Sequence, residues 1–190
     1  APGPPEEAGR TPRAFDARLA RSSASEAFGW RLDGQSPYAL HVGALLRGHP
    51  HSAVARYNAA APAGADIRVG DYITRVNGIA GPSAYLGELL SSKATTGVTV
   101  HRPACYFVEL KRGRMPLGLD IKFAKNIKFA KDGTIAFIVG VGEGVVKEQA
   151  PEVCAGHRIV GANGKSGLLT KELMKALRGA EVTLELSKAP

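Results

Sequence analysis

The chain has 190 residues, with 25 Lys and Arg against 17 Asp and Glu, giving a formal net charge of +8 at pH 7. A hydrophobic content of 44% suits one ordinary globular domain or two small ones and argues against a wholly disordered chain. No run of about eighteen apolar residues is present to cross a bilayer as a helix, and two cysteines, Cys105 and Cys154, are too few for a disulfide scaffold or a four-thiolate zinc site. One disulfide between them remains open; two free buried thiols are the simpler expectation.

From the start of the chain, Pro2, Pro4, Pro5 and Pro12 make residues 1 to 14 read as irregular. Phe15 to Arg21 reads as a short helical turn broken by Ser22 and Ser23, so residues 1–23 are expected to be an N-terminal extension. A start at Ala1 is consistent with removal of a targeting segment or with a fragment of a longer chain. The expected setting is then an organelle interior, a plastid among the candidates, for a soluble or peripheral protein.

Beyond the extension the chain repeats itself. Gly70-Asp71-Tyr72-Ile73-Thr74-Arg75-Val76-Asn77-Gly78 matches Gly156-His157-Arg158-Ile159-Val160-Gly161-Ala162-Asn163-Gly164 at an offset of 86. Each is a glycine turn, a short strand and an Asn-Gly turn. Each precedes a helix candidate with one apolar stripe: Ser83 to Leu90 with Tyr85, Leu86, Leu89 and Leu90, and Thr170 to Leu177 with Leu173, Met174 and Leu177. Closing strands follow at Val98 to His101 and Val182 to Leu186. Upstream, Phe28-Gly29-Trp30 precedes a strand at Tyr38 to Val42, and Leu117-Gly118-Leu119 precedes one at Ile135 to Val139. The second copy also has an opening strand, Tyr106 to Lys111; the first has no clear counterpart. Ser52 to Ala60 reads as a helix in a long, alanine-rich stretch. Two units in a fixed or semi-fixed tandem are expected, at 24–102 and 105–188, joined around Arg102-Pro103-Ala104.

With those residues on the page, 105–188 resembles the PDZ domain family, and 24–102 resembles it in a degenerate form. The resemblance implies a mainly β fold with short helices: two PDZ-like, partly open β-barrel or sandwich domains in tandem. It implies a peptide-binding groove between a second strand, Leu119-Asp120-Ile121-Lys122-Phe123, and a helix carrying Leu173, Met174 and Leu177. Backbone N–H groups of Leu117, Gly118 and Leu119 would cradle a terminal carboxylate, and the peptide would add as a strand beside Leu119 to Phe123. Its last side chain would meet Leu117, Leu119, Ile121, Leu173, Met174 and Leu177. Where the family commonly has a histidine at the start of the groove helix, Thr170 or Lys171 stands here; a lysine there would meet an acidic side chain. The same residues also read as plain core. In the first copy Phe28, Gly29 and Trp30 mark a second, weaker groove, which Trp30 would either line or plug.

Lys111, Arg112, Arg114, Lys122, Lys125, Lys128 and Lys131 stand against Asp120 alone, and Ile-Lys-Phe-Ala-Lys occurs twice, from Ile121 and from Ile127. This reads as a basic hairpin insertion over 122–134 with Asp132-Gly133 at its tip, either simply solvated or facing an anionic membrane surface or an acidic protein. Nucleic-acid motifs are absent.

No cofactor or metal is expected. His41, His49, His51 and His101 read as unrelated placements, His157 as a surface turn residue and Cys154 as a core thiol. Asn163-Gly164-Lys165-Ser166 lacks the glycine loop of a phosphate site, and Gly140, Gly142 and Gly144 lack the strand-helix unit that follows a nucleotide loop. The expected function is non-catalytic: an adaptor binding a C-terminal or internal peptide, or else an accessory subunit bracing a larger, membrane-associated organellar assembly with unused grooves.

Overall fold

Phe15, Ala17 and Leu19 alternate with Asp16, Arg18 and Ala20, and the segment Ala14–Ala20 (β1) is a strand, not the helical turn expected. Helix propensity in an Ala-Arg-Leu-Ala run is a weak prior. Here it yields to an unbroken antiparallel ladder from Ala14 opposite His101 to Ala20 opposite Thr95. The first sheet therefore begins at Ala14, inside the stretch expected to be extension.

The computed structural model describes residues 13–46, 48–123, 136–168 and 170–190. After β1 come Trp30–Asp33 (β2), Leu40–Leu45 (β3), Ala53–Ala60 (α1), Tyr72–Val76 (β4), Ser83–Ser91 (α2) and Thr95–His101 (β5). The second half holds Cys105–Lys111 (β6), Leu119–Phe123 (β7), Ala136–Val141 (β8), Val145–Gln149 (α3), Arg158–Ala162 (β9), Lys165–Ser166 (β10), Thr170–Leu177 (α4) and Glu181–Ser187 (β11). The sheets run β1-β5-β4-β3-β2 and β6-β11-β9-β8-β7, with β10 paired to β9. Both are antiparallel, and among the described residues neither closes into a barrel. The N-terminal proline-rich stretch, residues 1–12, and the basic run from Lys125 through Lys131 to the Asp132-Gly133 tip lie outside the described residues.

The repeat extends to individual hydrogen bonds. Asn77 and Asn163 both sit at φ 52, where a non-glycine residue is strained. Each side chain offsets that strain by accepting across the sheet, from Gly97 N at 2.9 Å and from Thr183 N at 3.0 Å. Gly70 N donates to Val42 O as Gly156 N donates to Ile138 O, both at 2.8 Å. The cores are nevertheless separate. Leu19, Val42, Ile73, Leu86 and Val100 belong to one, and Leu110, Ile138, Ile159, Leu173 and Leu186 to the other, with no shared residue.

Polar side chains join the modules. Arg102, in the connector, donates to Asp71 Oδ1 at 3.1 Å, Gly64 O at 2.8 Å and Asp66 O at 2.6 Å, so the linker is tied to the first module. Arg158 of β9 crosses to the first module. Its Nε donates to Tyr72 Oη at 3.0 Å and its Nη2 to Asp33 Oδ1 at 2.6 Å, and the guanidinium lies over Phe137, 5.1 Å from the ring centre. His41 Nδ1 is 2.9 Å from the other Asp33 oxygen. Arg158, Tyr72 and His41 are buried, at 1%, 0% and 3% exposure.

Two burial expectations are reversed. Cys105 and Cys154 are exposed free thiols. His157, expected at the surface, is buried, with Nδ1 2.6 Å from Tyr106 Oη and Nε2 3.3 Å from Cys154 Sγ. The imidazole turns inward to reach the Tyr106 hydroxyl, and the turn residue beside Val153 faces out instead.

Candidate functional site

Among the described residues β7 is the last strand of its sheet and pairs with β8. Its burial alternates: Leu119, Ile121 and Phe123 are half-buried against the core, while Asp120 and Lys122 face solvent. The loop before it turns at Gly118, φ +78. A Cβ there would fall 2.8 Å from both Gly142 O and Glu143 O, and one on Gly144 would fall 2.6 Å from Pro116 O. Two backbone segments thus touch, and only glycine permits it. That contact accounts for Gly118 and Gly144; Gly140 and Gly142 have no such close neighbour.

The loop is held from behind. Its carbonyls are engaged: Pro116 O accepts from Val145 N, Leu117 O from Val146 N and Gly118 O from Gly142 N. Two of these carbonyls thus face the start of α3 and the third faces the residue after β8, which fixes the loop backbone in one conformation. A carboxylate needs donors fixed in place. Along β7 the edge then offers backbone groups to an incoming strand.

The expected groove residues divide into two groups. Leu117, Leu173 and Leu177 are buried to 8%, 2% and 5%, so they belong to the core floor and not to an open pocket wall. Helical spacing put Leu173 and Leu177 on one stripe, and that stripe packs inward, as an amphipathic helix requires. Leu119, Ile121, Phe123 and Met174 remain half-buried at the surface of the core, and Lys171 is exposed in the first turn of α4. Lys122 is exposed; Lys125, Lys128 and Lys131 lie outside the described residues.

The first module repeats this plan with different outcomes. β2 is also an edge strand, and it carries a register shift between Arg31 and Leu32 where β7 carries one between Asp120 and Ile121. Gly29 has φ +93, and Gly29 O and Phe28 O accept from Leu46 N and Val54 N, as Gly118 O and Leu117 O do from their partners. Phe28 is buried, its ring centre is 5.5 Å from that of Trp30, and the Arg21 guanidinium covers it at 4.2 Å. Trp30 itself is half-buried against the core. The far end of this groove is bridged. Ser83 N donates to Pro37 O at 2.9 Å and Ser83 Oγ to Gly34 O at 3.3 Å, fastening the β2–β3 loop to the start of α2.

An open antiparallel sheet, a glycine loop, an edge strand and a helix in this order, twice, decide the architecture. Each module has the order of elements that the resemblance to the PDZ domain family implies. Neither a protein-family model nor a curated protein matches the chain. Among solved structures it is similar to the INAD PDZ45 tandem in complex with NORPA CC-PBM: 18% identity, 92% of this chain and 90% of that one, TM-score 0.39. It is also similar to a choanoflagellate GIPC PDZ domain bound to a B1AR peptide, at 23% identity over 46% of this chain and 92% of that one, TM-score 0.36. A third is the RIM1alpha PDZ domain with an ELKS1b C-terminal peptide, at 24% identity over 45% of this chain and 89% of that one, TM-score 0.34.

Electrostatics set the two modules apart. Burial alone would raise the Asp33 carboxyl, but the hydrogen bond from His41 and the Arg158 charge outweigh it and hold Asp33 below its ordinary value. Burial, helped by the Arg158 charge, keeps His41 below its ordinary value against the opposing pull of Asp33 and Asp71. In the second module burial, then the nearby Cys154 and Glu152, push Tyr106 up to about 12, so its hydroxyl keeps its proton beside His157.

Proposed function

We propose that the second module is a non-catalytic peptide-binding unit that takes a C-terminal or internal segment as an added strand along β7, and that the chain acts as an adaptor. The observation that carries this reading is the position of β7 at the edge of its sheet among the described residues, beside a glycine loop whose carbonyls at Pro116, Leu117 and Gly118 are all engaged within the module. A terminal carboxylate sits at Leu117, Gly118 and Leu119. The peptide backbone pairs with β7, and its apolar last side chain rests on Leu119, Ile121 and Met174. Lys171, at the head of α4, favours an acidic residue further back in the ligand. The first module is the fixed brace of this unit, because its β2–β3 loop is fastened to α2.

The test is a display library of free C-terminal peptides ending in Val, Leu, Ile or Phe, with the selected peptide re-measured as its amide. Amidation is expected to weaken binding at least about tenfold by removing the charge that the loop amides meet. Ile121→Glu is expected to abolish binding, and backbone NMR shifts are expected along β7 and not along β2. Selected peptides that shift β2, or that bind equally well as amides, would overturn the assignment. The accessory-subunit reading is favoured by one feature, the locked inter-module contact. A stoichiometric partner on the native protein, with no binder recovered from the library, would establish it instead.

A further inference from the structure

The contact between the modules is unusual in what it buries. Domains within one chain commonly move relative to one another, yet here a guanidinium and an imidazole are taken out of water together around a carboxylate that is only 14% exposed. Asp33 is the hub. One oxygen receives Arg158 Nη2 at 2.6 Å and the other faces His41 Nδ1 at 2.9 Å. The Tyr72 ring lies 5.1 Å from the imidazole, and its hydroxyl receives Arg158 Nε. Arg158 Nη1 is buried with no partner among the described residues. One anion therefore serves two potential cations, with a further nitrogen already unsatisfied.

We propose that the His41–Asp33–Arg158 cluster is an acid-sensitive latch, which holds the two modules in one orientation while His41 is neutral and releases them when it becomes charged. Neutral His41 donates through Nδ1 to Asp33 and fits the buried site. The imidazolium would place a second positive charge beside Arg158, with Asp33 already shared. The groups facing His41 are Asp33 on β2, Asp71 just before β4, Tyr72 on β4 and Arg158 on β9. Asp71 gives little relief, because its carboxylate is held by Arg102 and by Arg68 N.

The direction follows from linkage. In the closed pair burial and the Arg158 charge hold His41 below its ordinary value; opening hydrates it and removes that charge, so its value rises toward the ordinary histidine range, about 6.5 for an unperturbed imidazole. Below that pH the open form takes up a proton that the closed form refuses, so the latch is strongest above it and weakens as pH falls. One proton limits the effect to about tenfold in the opening constant per pH unit. Asp33 is held below its own ordinary value, so it stays charged through this window and loses its hold only at lower pH. His157 shifts in the same direction, but it lies inside the second module against Tyr106 and does not face the latch.

The experiment is 15N relaxation and small-angle X-ray scattering on the full chain from pH 7.5 to 5.0, with the His41 ring followed by 13C NMR. At pH 7.5 the modules are expected to tumble as one body. At pH 5.0 two shorter correlation times and a larger radius of gyration are expected, with the dispersed spectrum of each module retained. The opening midpoint should coincide with the His41 titration. His41→Gln, whose amide still donates to Asp33 and cannot take a charge, is expected to stay closed at pH 5.0. One-body tumbling of the unmodified chain at pH 5.0, or opening whose midpoint departs from the His41 titration, overturns the latch. Equal acid opening in His41→Gln overturns it too.

Discussion

Tyr72 and Arg158 hold the same position in the two copies of one motif, and so do Asp71 and His157. The backbone around each pair is the same: a positive-φ glycine at 70 and 156, an Asn-Gly turn at 77 and 163, and the same strand order on either side. The side chains diverge. In the first module Asp71 anchors the linker through Arg102, and Tyr72 offers a hydroxyl outward. In the second, His157 is satisfied internally by Tyr106, while Arg158 reaches across and takes that hydroxyl. A duplicated frame has thus been fastened to itself through its own equivalent positions. The copy that supplies Asp33 from its groove strand has a bridged groove, and the other keeps its edge open.

The comparison breaks most severely at Arg158. Arg158→Ala takes the guanidinium from partly buried Asp33, which keeps His41 and Gln35 N, and from the buried Tyr72 hydroxyl, and is expected to cost about 3 kcal/mol. Urea unfolding followed by the fluorescence of Trp30, the lone tryptophan, should then separate from unfolding followed by circular dichroism. Next come the loop glycines. Gly118→Ala sets a Cβ against backbone carbonyls, whereas Gly29→Ala sets one 2.0 Å from Ser52 Oγ and 2.4 Å from Ser52 Cβ. Each is expected to lose about 1–3 kcal/mol, measured by thermal melting. Ser52→Gly should recover part of the loss for Gly29→Ala, since glycine still serves as an N-cap at a cost of a few tenths of a kcal/mol. No single side-chain change should rescue Gly118→Ala.

Smaller and symmetric effects are expected at the Asn-Gly turns. Asn77→Ala and Asn163→Ala each lose one cross-strand hydrogen bond and relax nothing at φ 52, for about 1 kcal/mol apiece in chemical denaturation. The smallest effect concerns acid. Burial and then the charge of Lys188 hold His157 below its ordinary value, so the second module keeps that contribution above about pH 6.5 and loses it as pH falls. His157→Asp, which copies the first module, should flatten the stability profile of the second module between pH 6.5 and 5 by less than about 1 kcal/mol.

Much of the frame was legible because it is local. Asn-Gly turns, glycine turns and helical stripes carry their signal within a few residues, and α4 was expected over the residues it occupies, Thr170–Leu177. β1 was misread because Ala, Arg and Leu favour helix in isolation, although Phe15, Ala17 and Leu19 already alternate at strand spacing. The burial of Leu117, Leu173 and Leu177 was not legible, since an apolar stripe marks a face without saying whether that face is floor or wall. Least legible was the inter-module cluster. Asp33 and Arg158 are 125 residues apart, and no periodicity within either copy states how the copies lie against each other. The inward turn of His157 likewise depends on Tyr106, 51 residues away.

The connector between β5 and β6 is short, and Arg102 is clamped to the first module on three sides. Its shortness makes the docking of the modules an intramolecular event at high effective concentration. Lengthening the chain between Pro103 and Ala104 would leave that clamp intact while diluting one module with respect to the other. A graded series of such insertions would therefore titrate the intrinsic affinity of the two halves, which the native chain conceals behind its own tether.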